Sequence, residues 1–142
     1  LGQGGMGEVW EAERQGEGFV QRVAIKCLRA DLGGSQAHVR LLAERQILAR
    51  LEHHHVARLL DAGVDAVGRP WLAMELVRGE PITRHVARHA LPMADRLRLF
   101  VDLCSAIADA HRHLVVHCDL KPSNVLVDEA GVVKVVDFGM AR

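Results

Sequence analysis

The sequence predicts an α+β fold, in which an antiparallel β-sheet with one main helix is followed by a mainly α-helical part. In the first half, short runs of β-branched and apolar residues alternate with glycine-containing turns. After Gly79, apolar residues recur at three- and four-residue spacing, which is typical of amphipathic helices. Two short apolar runs near the end flank a turn and indicate a small hairpin. We therefore divide the chain into residues 1–77 and residues 78–142.

The first part is predicted to contain a glycine-rich turn, four strands and one helix. The glycine-rich turn spans residues 2–7, and residues 14–18 form a second, polar turn. Apolar residues at helical spacing follow Ser35, a suitable N-cap, and predict a helix over residues 36–51. The strands are expected, from their β-branched and apolar content, at residues 8–13, 19–28, 56–64 and 70–77.

The second part is predicted to contain two helices and the hairpin. A short helix is expected over residues 82–88 and a long one over 93–114, whose apolar residues form one stripe. The hairpin strands are expected at residues 125–127 and 132–136, with a turn between them. The chain begins at Leu1 inside an expected strand, and we interpret both ends as cuts within a longer sequence.

The composition limits the partners that the chain could have. Of 142 residues, 49% are hydrophobic and 25% charged, which is ordinary for a globular protein. The net charge is zero and tyrosine is absent, so neither electrostatics nor base stacking favours nucleic acid. No apolar run reaches the ~20 residues of a membrane span, and no signal peptide is visible. Three scattered cysteines (Cys27, Cys104, Cys118) indicate reduced thiols and a cytoplasmic location.

A G-x-G-x-x-G pattern is formed by Gly2, Gly4 and Gly7, with Gly5 in the same turn. The pattern occurs both in dinucleotide-binding folds and in loops that cover phosphates. A dinucleotide site requires a helix directly after the third glycine, whereas strand-forming residues follow Gly7. A strand–turn–strand flap can cover a triphosphate, because glycines allow its backbone N–H groups to approach closely. Taken alone, the motif is equally compatible with an ordinary glycine-rich hairpin.

The next strand and the predicted helix each supply one charged candidate. Alternation places Ala24 and Lys26 on one face of the strand, where Ala24 leaves room for a planar base and Lys26 can reach phosphates. A carboxylate on a packed helix can orient such a lysine, and Glu44 is the candidate. Taken alone, either residue would be interpreted as a solvated charge. For Lys26, its position on the strand after the glycine motif favours the nucleotide site.

The strongest motif joins Asp119, Lys121 and Asn124 on a loop between the long helix and the hairpin. An aspartate can orient and deprotonate a hydroxyl, and a lysine can neutralise a transferring phosphoryl group. An asparagine carbonyl is a hard oxygen ligand suited to Mg²⁺. After the hairpin, Asp137 in the Asp-Phe-Gly tripeptide adds a carboxylate that can bridge a metal to phosphates.

In this order and spacing, the motifs resemble those of the eukaryotic-like serine/threonine protein kinases, over the whole chain. Residues 1–7 and 74–79 are similar to the bacterial (Hanks-type) branch, and residues 119–124 resemble serine/threonine rather than tyrosine kinases. The resemblance implies a protein-kinase fold truncated within its second lobe. Residues 1–77 would be the N-lobe, with the glycine-rich loop, the Lys strand, the C helix and the hinge. Residues 78–142 would hold the catalytic loop and the Asp-Phe-Gly turn of a partial C-lobe.

The resemblance also implies a role for single residues. Lys26 would contact the α- and β-phosphates of ATP and pair with Glu44. Asp119 would be the catalytic base, and Lys121 would approach the γ-phosphate. Asn124 and Asp137 would bind Mg²⁺, or Mn²⁺ in its place. The nucleotide would be bound by Gly2, Gly4, Gly5, Gly7, Val9, Ala24, Lys26, Met74, Glu75, Val77 and Leu126. An apolar column linking the lobes would be formed by Leu48, Leu59, His117 and Phe138.

Several features depart from the family pattern or are not explained by it. Cys118 replaces an arginine that usually pairs with an activation-loop phosphate, so switching by that phosphorylation is not expected. The histidines at 53–55 have no cysteine or carboxylate in register and are interpreted as a loop. His85 and His89 are interpreted as surface residues. The family continues beyond residue 142 with an activation loop and helices that bind substrate and would cover the apolar stripe of the long helix.

The sequence therefore predicts a serine/threonine protein kinase domain that transfers the γ-phosphoryl group of Mg-ATP to Ser or Thr hydroxyls of protein substrates. Residues 1–142 alone are expected to transfer phosphate poorly or not at all. One alternative is a truncated, non-catalytic kinase relic that binds ATP or a partner. Another is a small-molecule kinase of similar fold, although Lys121 favours the protein kinases. No nucleic acid partner and no membrane segment are expected within the chain.

Overall fold

The structure is a computed structural model that describes residues 2–4, 7–16, 18–28 and 51–138. The described residues fall into two compact units. One contains the residues up to 28 together with 58–76, and the other contains 51–57 together with 77–138. The chain passes from the first unit to the second between Leu76 and Val77.

The first unit is a five-stranded antiparallel sheet with the strand order β1-β2-β3-β5-β4. Its strands are β1 Gly2–Gly4, β2 Gly7–Gly16, β3 Phe19–Leu28, β4 Leu59–Val64 and β5 Pro70–Glu75. The glycine-rich segment, for which a turn over residues 2–7 was predicted, thus includes strand residues on both sides of that turn. In this sheet the buried side chains include Val23, Leu72 and Ala73, each at most 3% exposed.

Three sequence-predicted boundaries in this unit were wrong or too wide. The polar turn expected at 14–18 is much shorter, because β2 and β3 pair as far as Gly16 and Phe19. The strand expected from residue 56 begins at Leu59, since Val56 and Ala57 belong to the second unit, where the backbone of His55 and Ala57 bonds to Val135. The strand expected to reach residue 77 ends at Glu75. All of the helix predicted over 36–51 except Leu51 lies outside the described residues.

The second unit combines a three-stranded sheet with two helices. Its elements are β6 Gly79–Pro81, α1 Ile82–Arg88, α2 Met93–Arg112, a 3-10 turn Pro122–Asn124, β7 Val125–Asp128 and β8 Val133–Val135. The strands are antiparallel in the order β6-β7-β8. Helix α1 has its predicted bounds, whereas α2 ends at Arg112, before Leu114 adopts a φ of 60°. Together the two units confirm the predicted α+β class.

A single apolar cluster holds the hairpin of the second unit against its helices. Its buried members are Leu99 of α2, Val125 and Val127 of β7, and Val133 of β8. Four partly buried side chains pack against this cluster, namely Ile82 and Val86 of α1, Leu91 of the segment after it, and Leu103 of α2. The loop between α2 and β7 is therefore fixed at both ends by packed elements.

Helix α2 also presents an apolar face outward. Met93, Leu97, Phe100 and Val101 all have more than half of their surface exposed. These residues include part of the stripe that was predicted to be covered by later segments of the family fold. Among the described residues, no helix combines the length and the apolar character needed to cross a bilayer.

Candidate active site

The glycine motif forms the edge of the sheet in the first unit. Strands β1 and β2 pair with Gly2 opposite Val9 and Gly4 opposite Gly7. The described part of the motif therefore consists of two paired antiparallel strands. Gly5 lies outside the described residues. A helix does not follow Gly7, which removes the dinucleotide-binding alternative, because that site depends on a helix N-terminus.

Four residues predicted to bind nucleotide share one face of this sheet. Directly opposite residues of antiparallel strands project to the same side, and Val9 lies opposite Lys26 while Ala24 lies opposite Met74. Alternation along β3 joins these two pairs into one surface. Ala24 is 8% exposed and Lys26 only 3% exposed, so both side chains are buried. Its predicted partner Glu44 lies outside the described residues.

The backbone at the end of β5 is fixed by a reciprocal contact with Arg58. The N–H of Glu75 donates to the carbonyl of Arg58 at 2.8 Å, and the N–H of Arg58 donates to Oε2 of Glu75 at 3.2 Å. The N–H of Glu75 is thus occupied and is not the donor for a base. Val77 belongs to the second unit, as does Leu126, which lies opposite Pro81 and Lys134 in the sheet.

In the second unit, the structure brings the three motif residues of the loop together. Nζ of Lys121 donates to Oδ2 of Asp119 at 2.7 Å. The amide nitrogen of Asn124 donates to the backbone carbonyl of Asp119 at 2.9 Å and approaches Oδ2 of the same residue at 3.4 Å. The hydrogen bond from Lys121, together with that from Asn124, lowers the pKa of the Asp119 carboxyl below its usual value. Asp119 is therefore ionised at neutral pH and can accept a proton or a hydrogen bond.

His117 holds the backbone of this loop, a role that the sequence did not reveal. Its Nε2 lies 3.1 Å from the carbonyl of Val136, and its Nδ1 lies 3.3 Å from the N–H of Asp119. A carbonyl only accepts and an N–H only donates, so both bonds require the neutral tautomer with the proton on Nε2. The ring is buried, at 4% exposure. The position of Asp119 thus depends on a buried imidazole that is anchored to the segment after β8.

Asp137 lies at the other end of that segment, in a conformation that few residues adopt. Its φ is 66°, in the left-handed region. The next residue, Phe138, is 4% exposed, and its ring lies 4.5 Å from that of His117 between centroids, tilted by 53°. The two members of the predicted apolar column that fall in this unit are therefore in contact. Leu48 lies outside the described residues, and Leu59 belongs to the first unit.

The donor chemistry of Asn124 and Asp137 suits magnesium. Asn124 is 7% exposed and directs its amide nitrogen to Asp119, so the amide oxygen is the atom that it can offer to a cation. Asp137 adds a carboxylate, and Mg²⁺ prefers such oxygen ligands. The backbone of Asn124 is held as well, because its carbonyl accepts from the N–H of Val136 at 2.9 Å.

The histidines at 53–55 form a turn that packs on α2 and β8. His53 contacts the hydroxyl of Ser105 at 3.3 Å, and His55 contacts the carbonyl of Val133 at 3.0 Å and the carboxylate of Asp102 at 3.6 Å. Their interpretation as a loop is consistent with these contacts. His85 and His89 were interpreted as surface residues. In the structure, both approach the carboxylate of Glu80.

The comparisons with known proteins agree with this geometry. A family model described as "Protein kinase domain" matches residues 1–142. The chain is 39% identical over 99% of its length to a putative CBL-interacting protein kinase 13 of rice. It is 38% identical over its whole length to a probable serine/threonine-protein kinase of Streptomyces coelicolor, and 36% identical to the serine/threonine-protein kinase PknA of Mycobacterium tuberculosis.

The chain spans only part of these relatives, namely 27%, 22% and 34% of their respective lengths. The match nevertheless includes both halves of the motif set, from the glycine-rich hairpin to the Asp-Phe-Gly turn. The family model matches the full chain, and the relatives align over nearly all of it. The chain therefore belongs to the protein kinase family.

Proposed function

We propose that this chain is the ATP-binding and catalytic-loop part of a serine/threonine protein kinase. The reaction is transfer of the γ-phosphoryl group of ATP to the hydroxyl of a serine or threonine in a protein substrate. The observation that supports it most directly is the contact set of Asp119 with Lys121 and Asn124. One loop thereby combines an ionised carboxylate, a cation and an amide oxygen donor, which are the groups that phosphoryl transfer uses.

The first unit would bind the nucleotide. The β1–β2 hairpin covers the phosphates with backbone N–H groups, and Lys26 contacts the α- and β-phosphates. Lys26 is only 3% exposed, so its side chain has little rotamer freedom left to lose on binding. Val9, Ala24 and Met74 share its face and supply apolar surface for adenine.

The second unit would carry out the transfer. The Asp119 carboxylate accepts a hydrogen bond from the incoming hydroxyl and takes its proton as the oxygen attacks the γ-phosphorus. The bond from this phosphorus to the β–γ bridging oxygen breaks, and ADP leaves. Lys121, whose side chain is half exposed, can turn from Asp119 to the transferring group. Catalysis in this scheme consists of positioning and charge neutralisation.

Asn124 and Asp137 would hold Mg²⁺, which neutralises phosphate charge when bound. Mn²⁺ would serve as a substitute, because it also accepts oxygen ligands in octahedral geometry. We place the protein in the cytoplasm, where its three free cysteines would remain reduced. Its partners would be protein substrates, and its zero net charge gives no reason to include nucleic acid.

The test is phosphate transfer by the purified intact protein from γ-labelled ATP to a generic basic protein. Asp119→Asn preserves the shape of the side chain but removes the proton acceptor, so kcat should fall by ~10²–10⁴-fold. Asp95→Asn is the matched control, because the Asp95 side chain forms a surface ion pair with Arg98 at 2.7 Å. We expect this control to keep the wild-type rate, since exposed pairs contribute little.

Two outcomes would replace the proposal. ATP binding without any transfer by the wild type would favour the non-catalytic relic. Transfer to aminoglycosides or choline but not to protein would favour a small-molecule kinase. A wild-type rate in Asp119→Asn would show that this carboxylate is not the base.

A further inference from the structure

Glu80, His85 and His89 form a cluster at the junction of β6 and α1. The proposed phosphoryl transfer assigns no role to these three residues. His85 and His89 are four residues apart, so they lie on the same side of the helix. Their ring centroids are 4.5 Å apart. Glu80 belongs to β6 and reaches both rings, with Oε1 3.6 Å from Nδ1 of His85 and 3.9 Å from Nε2 of His89.

We propose that these three residues bind a divalent transition-metal ion, Zn²⁺ in the first instance. One ligand atom from each residue can be chosen so that all three lie within 4.8 Å of one another, and this is the one such group among the described residues. Two imidazoles and one carboxylate are a donor set that zinc accepts in proteins, with a fourth position left for water. Magnesium prefers oxygen ligands and is not expected here.

The distances fit a metal better than they fit direct hydrogen bonds. Separations of 3.6 and 3.9 Å exceed the ~2.7–3.2 Å of a protein hydrogen bond. Two ligands that each lie ~2.1 Å from a tetrahedral zinc ion are about 3.4 Å apart. The two separations between Glu80 and the histidines therefore need to close by only about 0.2 and 0.5 Å to hold the ion.

The backbone already fixes all three positions. Glu80 lies opposite Val127 in the β6–β7 pair. His85 is inside α1, and the N–H of His89 donates to the carbonyl of His85 at 3.0 Å at the end of that helix. The side chains of Glu80 and His85 are only 18% and 16% exposed, whereas that of His89 is 50% exposed and leaves a path for the ion. Ligands on rigid elements lose little freedom on binding.

One competing cation must be displaced. Nη1 of Arg88 lies 3.7 Å from the same Oε1 of Glu80, but the Arg88 side chain is 71% exposed. Because Arg88 is largely exposed and the pair is long, its guanidinium can turn away to solvent when an ion binds Glu80. A bound ion would then join strand β6 to helix α1 and stiffen the segment that pairs with β7, which follows the catalytic loop.

The experiment is calorimetric titration of the intact purified protein with Zn²⁺ in the presence of excess Mg²⁺, which occupies the oxygen-ligand site at Asn124 and Asp137. We expect one ion per chain. His89→Ala should weaken binding by more than ~10-fold, because even indirect changes at metal sites cost ~10–100-fold. His111→Ala, which removes an exposed histidine of α2, should leave the affinity unchanged.

A second readout separates loss of binding from loss of folding. Zn²⁺ should raise the midpoint of thermal unfolding for the wild type and for His111→Ala, but not for Glu80→Gln or His89→Ala. His89 is half exposed, so His89→Ala should keep the fold in the absence of zinc. Binding that persists in both ligand variants, one ion per two chains, or no binding by the wild type would each overturn the proposal.

Discussion

Replacing His117 by phenylalanine tests how the catalytic loop is held. Phenylalanine keeps an aromatic ring beside Phe138, where the two centroids are now 4.5 Å apart. It removes the bond from Nε2 to the Val136 carbonyl and the bond from the Asp119 N–H to Nδ1. The variant therefore isolates the two hydrogen bonds from the ring contact.

The magnitude follows from the two groups that lose their partner. A buried donor or acceptor left without a hydrogen bond costs about 1–3 kcal/mol. Both bonds are part-buried, so we expect the lower part of that range for each and a loss of about 2–4 kcal/mol in the free energy of unfolding. Because Asp119 would lose an anchor, kcat should fall by at least ~10-fold, while KM for ATP should change less.

The assay pairs urea unfolding with steady-state kinetics at saturating ATP. His111→Phe, at an exposed position of α2, is the control and should stay within ~0.5 kcal/mol of the wild type. If His117→Phe matched this control in both stability and kcat, the two hydrogen bonds would not position Asp119. If stability fell but kcat did not, His117 would serve folding alone.

Three other changes have directions that the structure fixes. Leu72→Ala should cost about 2–5 kcal/mol in urea unfolding, because Leu72 is 1% exposed, while Val67→Ala, 74% exposed in the turn between β4 and β5, should stay near zero. Gly79→Ala should cost about 1–3 kcal/mol, because the added Cβ would meet the backbone carbonyl of Val127 in β7. An unchanged midpoint of urea unfolding would contradict that contact. Lys121→Met removes the hydrogen bond that contributes most to lowering the pKa of Asp119, so this pKa should rise. Since the proposed base acts in its ionised form, the acid limb of the kcat/KM profile should move to higher pH. An unmoved acid limb would show that Lys121 does not influence the ionisation of Asp119.

The elements that were predicted well are those whose pattern is local. Phe19–Leu28 and Ile82–Arg88 have the expected bounds, because alternation and helical spacing are properties of consecutive residues. Strand Gly79–Pro81 was missed, since glycine and proline are poor strand formers and only the pairing with β7 makes it a strand. The polar turn at 14–18 was overestimated, because polarity there reflects exposed strand faces rather than a break in pairing.

The candidate site likewise contains residues that the sequence predicted and contacts that it could not predict. The sequence predicted that Asp119, Lys121 and Asn124 act together, because all three lie within six consecutive residues of one loop. The partners that hold the loop are backbone groups, such as the carbonyl of Val136, and every sequence offers these. Glu80 could not be joined to His85 from the sequence, since their approach requires the unpredicted strand β6.

The same backbone contacts link Asp119, the proposed base, to Asp137, the proposed metal ligand. Cys118 and Asp137 both have left-handed φ values, 63° and 66°, which cost non-glycine residues about 1–2 kcal/mol each. Cys118 follows His117 and Asp137 precedes Phe138, so the two contacting rings flank both residues. Strained backbone persists only where its surroundings fix it. The contact of His117 with Val136 therefore constrains the carboxylates of both segments, and releasing it should disturb the metal ligand as well as the base.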